Sequence, residues 1–329
     1  MLVAFLSVVI SIALSKVIQD VPTLVALVGV IIIAICALFG IVFAALVTLT
    51  KSESEGALLT LIVTAPHFIN FFLPGKSVSL FMIWMGVGVA VASNLLTWAF
   101  AIVLKRNPSW SSLLQMSALI GVLAVSVVHL VKPDITDWWT TEVQAVQTLS
   151  VKMLPVVPVT SEQPATPTAN QTTNKEVVGL SKEEIEVGTQ FATGLLTIAI
   201  LFSALSQLAL ARWWQAKVFS PGLLRQGLHN IRLSSLTGML FGLSLIFSYL
   251  GNRVVLDIMP ILYTLICVAG LSVVHYGIGL IKSKTAWFWL GIFYLTLIFA
   301  RPFSAIIVAM LALLDIWLDM RKRINNLII

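Results

Sequence analysis

Long apolar runs alternate with short polar interruptions along most of this chain. The runs occupy residues 2–18, 23–49, 56–73, 77–104, 109–131, 189–211, 234–250, 256–281, 286–300 and 302–319. A helix needs about 20 mostly apolar residues to cross the hydrocarbon core of a bilayer. The pattern therefore predicts an all-α, polytopic transmembrane helix bundle of about ten spans, with nine and eleven as the bounds. Run 23–49 is long for one span and holds Gly40, so it is expected either to tilt or to break. The last two runs are joined only by Ala300, Arg301 and Pro302. That junction predicts a tight hairpin. A single kinked helix would be too long for an ordinary bilayer without strong tilt. The apolar N-terminus has no basic leader and reads as the first span, not as a signal sequence.

The interruptions divide the chain into an N-terminal bundle, 1–131, and a C-terminal bundle, 189–329, with a loop at 132–188 between them. The loop carries Asp134, Asp137, Glu142, Glu162, Glu176, Glu183, Glu184 and Glu186 against Lys132, Lys152, Lys175 and Lys182. Its Pro-, Thr- and Gln-rich centre cannot bury enough apolar area to offset its ordering entropy, so the loop is expected to be partly disordered. At its end, Ser181 followed three residues later by Glu184 predicts a capped helix start. That helix is expected to run on into the sixth span.

Composition sharpens the class. Hydrophobic residues make up 59% of the 329 positions and charged residues only 10%, where a soluble domain carries about 25% charged. Lipid must cover much of this surface. The net charge of +6 is spread over loops, which excludes the dense basic face of a nucleic-acid site. Lys51, Lys105, Arg106, Arg212, Lys217, Arg225, Arg232, Lys282, Lys284, Arg321, Lys322 and Arg323 all fall on one side if the spans simply alternate. The bias of positive charge makes that side cytoplasmic, with the C-terminus inside and the acidic loop 132–188 outside. Cys36 and Cys267 lie in apolar runs, with no disulfide framework and no metal spacing.

Between the sixth and seventh runs, 211–233 forms a basic connector. Trp213 and Trp214 suit a membrane interface, and Arg212, Lys217, Arg225 and Arg232 can reach lipid headgroups or dock a cytoplasmic protein. Polar residues within the spans are the other candidates, because burying them in lipid is costly. His67 and Asn70 share a helix face next to Pro66, which could open the third span around a ligand. Asn94, with Ser93 and Thr97, lies near mid-membrane and suits interhelical hydrogen bonds or a ligand. His275 lies seven residues before Lys282, about 10 Å deep at 1.5 Å per residue. There it suits either packing or a proton relay. Gly238 and Gly242 form a small-residue motif for close helix packing. Asp315, Asp319 and Arg323 follow at steps of four on the last helix; Asp319 and Arg323 suit an interfacial ion pair, and Asp315 needs a partner from elsewhere.

The stretch from Leu210 to Ser234 resembles the YybS-like family of uncharacterised bacterial membrane proteins, whose pattern there is close to ARWWQA…NPGGF…EF…LRL. Arg212, Trp213, Trp214, Gln215, Ala216, Pro221, Gly222, Arg232 and Leu233 match. Leu223 and Leu224 stand where Gly and Phe are expected, and the acidic residue is missing. Segments 46–56, 107–114 and 313–323 are similar too, so the resemblance spans nearly all of the chain except 132–188. It implies a bacterial inner (cytoplasmic) membrane and a domain of unknown function, likened at fold level to the substrate-binding subunits of energy-coupling-factor vitamin transporters.

No Walker loop, HExxH, GxSxG or clustered Cys/His set occurs. The expectation is a protein that is no enzyme and needs no cofactor or metal. Its expected partners are membrane lipids and a small-molecule ligand, as a transporter component. The alternative is a membrane scaffold or assembly factor with a cytoplasmic partner at 211–233.

Overall fold

The computed structural model describes residues 23–69, 80–153, 181–219, 223–280, 285–299 and 303–328, and every regular element among them is helical. In chain order these are α1 (Thr23–Thr50), α2 (Glu53–Ile69), α3 (Leu80–Arg106), α4 (Trp110–Val131), α5 (Ile135–Met153), α6 (Lys182–Thr189) and α7 (Ala192–Phe219). There follow α8 (Leu223–His229), α9 (Ser235–Tyr249), α10 (Arg253–Leu280), α11 (Thr285–Phe299), α12 (Phe303–Leu318) and α13 (Met320–Ile328). The first apolar run and Asn70 lie outside the described residues.

Among the described residues five helices are long and apolar enough to cross a membrane: Ile31–Thr50 of α1, Trp84–Arg106 of α3, then α4, α7 and α10. α9, α11 and α12 are apolar but only 15, 15 and 16 residues long, about 23 Å each against a hydrocarbon core of about 30 Å. Run 23–49 is one unbroken helix through Gly40. Pro66 likewise sits inside a continuous α2 and does not open it. The last two runs form two helices, α11 and α12, held side by side where Ser304 Oγ donates to Leu297 O at 3.3 Å.

α10 is the central post, packed by α4, α7, α9 and α12 and, near its C-terminal end, by α8, α11 and α13. One hydrophobic core joins both halves of the chain: Phe100, Leu104, Leu113 and Val125 with Leu208, Ile266 and Ala312. Backbones come closest at two glycines. A Cβ on Gly194 would collide with the Asp257 carbonyl, and one on Gly270 with the Val308 carbonyl. α7 and α12 can lie against α10 there only because no side chain intervenes. At Gly242 nothing lies close, and at Gly238 only ordinary contact with Ile316 would be met. The tight packing expected at that pair therefore sits elsewhere.

The outside of the bundle is apolar. On α4, Leu114, Ala118, Gly121 and Val125 face inward, while Leu119, Leu123, Val127 and Leu130 are exposed. Both sets follow helical spacing, so the helix buries one face and shows large apolar side chains on the other. Leu236, Met239, Leu240, Leu243 and Ile246 repeat this on α9. Water-soluble monomers rarely expose contiguous apolar patches of such extent. The chain is a membrane-embedded helical protein by this surface and its five long apolar helices.

The segment 132–153 differs from the loop expected there. Residues 135–153 form α5, because Ile135 and Trp139 are buried against the bundle. Trp139 Nε1 donates to Thr193 Oγ1 at 3.0 Å. Residues 154–180, the Pro- and Thr-rich centre, lie outside the described residues. The capped start at Ser181 forms: Ser181 Oγ accepts from Glu184 N, and Glu184 Oε2 accepts from Ser181 N. Those hydrogen bonds hold the Glu184 carboxyl below its ordinary value. α6 then stops at Gln190 and α7 begins at Ala192, so the two are separated by a turn and are not one helix.

Candidate functional site

Two polar regions lie at opposite ends of α10. At its N-terminal end, Asp257 is buried within the bundle. One carboxylate oxygen accepts the Gly194 N–H at 2.6 Å, and the other lies 2.9 Å from His129 Nε2. Both side chains are almost fully enclosed, at 7% and 3% exposure. This dyad ties α4, α7 and α10 together. The sequence reading missed it, although an acidic residue inside an otherwise apolar span was the available signal.

The second region gathers several residues named from the sequence. A cavity of about 630 Å³ opens between α7, α8, α10 and α11, within the size range of roughly 300–1,000 Å³ typical of small-molecule sites. Leu224, Leu228, Ile231, Val268 and Leu271 give it apolar walls. Its polar groups are Lys217, His229, Ser272, His275 and Tyr294. Among the described residues no carboxylate lines it.

The protonation of His275 follows from its partners. Its Nδ1 lies 2.9 Å from the Leu271 carbonyl, one turn back on α10. A carbonyl oxygen can only accept, so Nδ1 carries the hydrogen. In the neutral ring Nε2 is then an acceptor, and Tyr294 Oη donates to it at 3.1 Å from α11. The His229 ring packs beside it, with centroids 6.3 Å apart. Lys217 Nζ sits 5.2 Å over the Trp213 ring, where the π-face places the cation at the rim.

α13 closes this end. Arg321 Nη1 donates to His229 O at 2.5 Å, and Nη2 to Ile231 O at 2.7 Å and Ser272 Oγ at 3.3 Å. Its Nε lies 3.2 Å from Asp315. Burial pushes the Arg321 guanidinium down from its ordinary value, and Asp315 acts in the opposite direction. Asp319 pairs with Arg232 of the connector. The pair expected between Asp319 and Arg323 does not form, because Asp319 adopts φ +50° and interrupts the helix between α12 and α13. Steps of four then no longer share a face. Arg323 Nε donates to Leu318 O instead.

The other sequence candidates do not gather at the cavity. Asn94 Nδ2 donates to Thr64 Oγ1 at 3.2 Å, joining α3 to α2. Its neighbour Thr97 donates to Gln207 Oε1 at 2.6 Å, joining α3 to α7. His67 is half-buried near the end of α2. Arg212 donates to Gln215 at 2.5 Å on its own helix, and Trp214 meets Phe39 of α1 edge-on. Arg225 lies on α8, and its side chain is outside the described residues.

Among the described residues no group of three or more His, Cys, Asp or Glu side chains could hold a metal ion. No family model, curated protein or solved structure matches the chain.

Proposed function

We propose that this protein is a component of a small-molecule transport system in the bacterial cytoplasmic membrane, and that the cavity between α7, α8, α10 and α11 holds its ligand. One observation carries this reading. A mostly apolar cavity of about 630 Å³ is provided with a few convergent polar groups, the usual build of a small-molecule site. The resemblance to the YybS-like family, and through it to substrate-binding subunits of energy-coupling-factor transporters, points the same way.

The alternation behind a count of about ten spans draws support from the course of α7, α9 and α10. Gly194 meets Asp257 at the starts of α7 and α10, while Trp213 and Lys217 share a cavity with Ser272 and His275 near their ends. The two helices therefore run parallel, and α9 must return across the depth of the bundle between them. Positive charge gathers at the cavity end: Lys51, Lys105, Arg106, Lys217, Arg232 and Arg321. That end is assigned to the cytoplasm.

The scaffold reading draws on the connector, where Trp213 and Lys217 remain exposed. Part of that connector is already engaged, since Arg232 pairs with Asp319 within the chain. The deciding experiment is affinity purification in mild detergent followed by native mass spectrometry. A defined bound solute, lost in a Leu228→Trp variant that fills the cavity, is the expected result. A co-purifying protein with no bound solute, lost on charge reversal of Lys217 and Arg232, would favour the scaffold.

A further inference from the structure

We propose that the cavity takes a single-chain anionic amphiphile and takes up one proton with it, through His275 and Tyr294. The proposal rests on the cavity being the ligand site and names the class of ligand and the linkage.

The charge balance sets the sign of the headgroup. Asp315 lies against Arg321 behind the cavity and offsets it. Lys217, held at the rim over Trp213, then faces the space as a cation, with no acid opposite it among the described residues. The walls are aliphatic. A cation at the mouth of an apolar cavity suits an anionic head on a hydrocarbon tail.

The linkage comes from the hydrogen-bond chain. With His275 neutral, the Tyr294 hydroxyl hydrogen is spent on Nε2. The ring cannot turn to offer another donor, because its Nδ1–H is held by Leu271 O. Protonation makes Nε2 a donor, so Tyr294 Oη must accept. The hydroxyl hydrogen is then released toward the cavity, where an anion can receive it. Among the described residues, the charged and titratable groups around His275 are His229 on α8, Lys217 on α7, Tyr294 on α11, Tyr276 on α10 itself, and the Arg321–Asp315 pair of α13 and α12. His229 alone among them is a second imidazole, and it serves as the control.

The test uses the full chain in phosphatidylcholine nanodiscs, with dodecylsulfonate, dodecanol and dodecyltrimethylammonium as probes. The sulfonate keeps its charge across the pH range, so any pH dependence belongs to the protein. Calorimetry in buffers of different ionisation enthalpy reads the proton count. The sulfonate is expected to bind best, and tighter at pH 6 than at pH 8 by about tenfold for each pH unit over which one proton is taken up. About one proton should be taken up at pH 8. His275→Gln and Tyr294→Phe should each flatten the pH dependence, while His229→Gln retains it; the two variants guard against one failing to fold. Competition by added lysophosphatidylglycerol would name a membrane lipid as the source of the anionic head, and its absence a free amphiphile; either keeps the proposal. A pH-independent sulfonate affinity, equal binding of the alcohol, or pH dependence lost in His229→Gln but kept in His275→Gln overturns it while leaving the cavity as a site. No binding of any probe, with no solute in the native spectrum, overturns the cavity reading as well.

Discussion

Asp257 shows what a single residue can hold in an apolar bundle. Its two oxygens serve a backbone N–H of α7 and an imidazole of α4, and it is closed off from solvent. Removing one partner of such a pair leaves the other polar and buried, which costs far more than the pair itself contributes. Asp257→Ala should therefore destabilise the protein by about 3 kcal/mol in equilibrium unfolding in mild detergent. Asp257→Asn keeps an acceptor for Gly194 and a neutral hydrogen bond to His129, and should cost about 1 kcal/mol. Equal and small losses for both variants would mean that the dyad does not brace the three helices. No periodicity could have announced it: His129 and Asp257 stand 128 positions apart, and only the fold decides which polar groups meet. The cap at Ser181 and Glu184 was legible for the opposite reason, since both partners sit within one turn. His275 lies between these cases. Its depth was readable from its distance to Lys282, but Tyr294, which fixes how it can act, comes from another helix.

At the scale of elements, the C-terminal helix works as a clasp. α13 is short and strongly amphipathic, and Arg321 reaches from it to two connector carbonyls after α8, at His229 and Ile231. The turn that aims it is set at Asp319, whose positive φ is a conformation that Asp tolerates better than most residues. Sequence spacing read Asp315, Asp319 and Arg323 as one face because it assumed an unbroken helix. The break redirects Asp319 to Arg232 and leaves Asp315 to Arg321. Arg321→Ala should thus free the connector: amide exchange across 223–233 should speed up by about tenfold or more, the worth of a hydrogen bond from a charged donor. Arg323→Ala, whose side chain reaches only Leu318 O, should leave that region unchanged. Equal effects from the two variants would remove Arg321 from its role as clasp. The same scale explains α5, which the reading of 132–188 by composition overlooked. Its acids and lysines dominate the average, yet Ile135 and Trp139 supply one buried face.

For the whole molecule, the segregation of charge between the two ends makes the strongest claim about orientation. At one end Arg106 pairs with Glu53 and Lys105 donates to Lys51 O, and Ser111 receives the Arg232 N–H. Arg321 holds the connector at that same end. At the other, α5 and α6 carry Asp137, Glu183, Glu184 and Glu186, and Trp139 of α5 bonds Thr193 beside the Gly194 that Asp257 holds. Chains insert with the cationic end retained in the cytoplasm. α9 and α10 set the sharpest test, because residues only eighteen apart, Ser234 and Asn252, must then lie on opposite faces. With Cys36 and Cys267 replaced by alanine, Asn252→Cys and Asp134→Cys should react with a membrane-impermeant maleimide in intact cells. Ser234→Cys and Lys322→Cys should react only after permeabilisation. All four positions are exposed on the protein, so a failure to label reports the membrane and not burial. Labelling of Ser234→Cys and Asn252→Cys from the same side would mean that α9, at 15 residues, does not cross. The parallel course of α7 and α10 would then have to be abandoned with it, and so would the cytoplasmic address of the cavity.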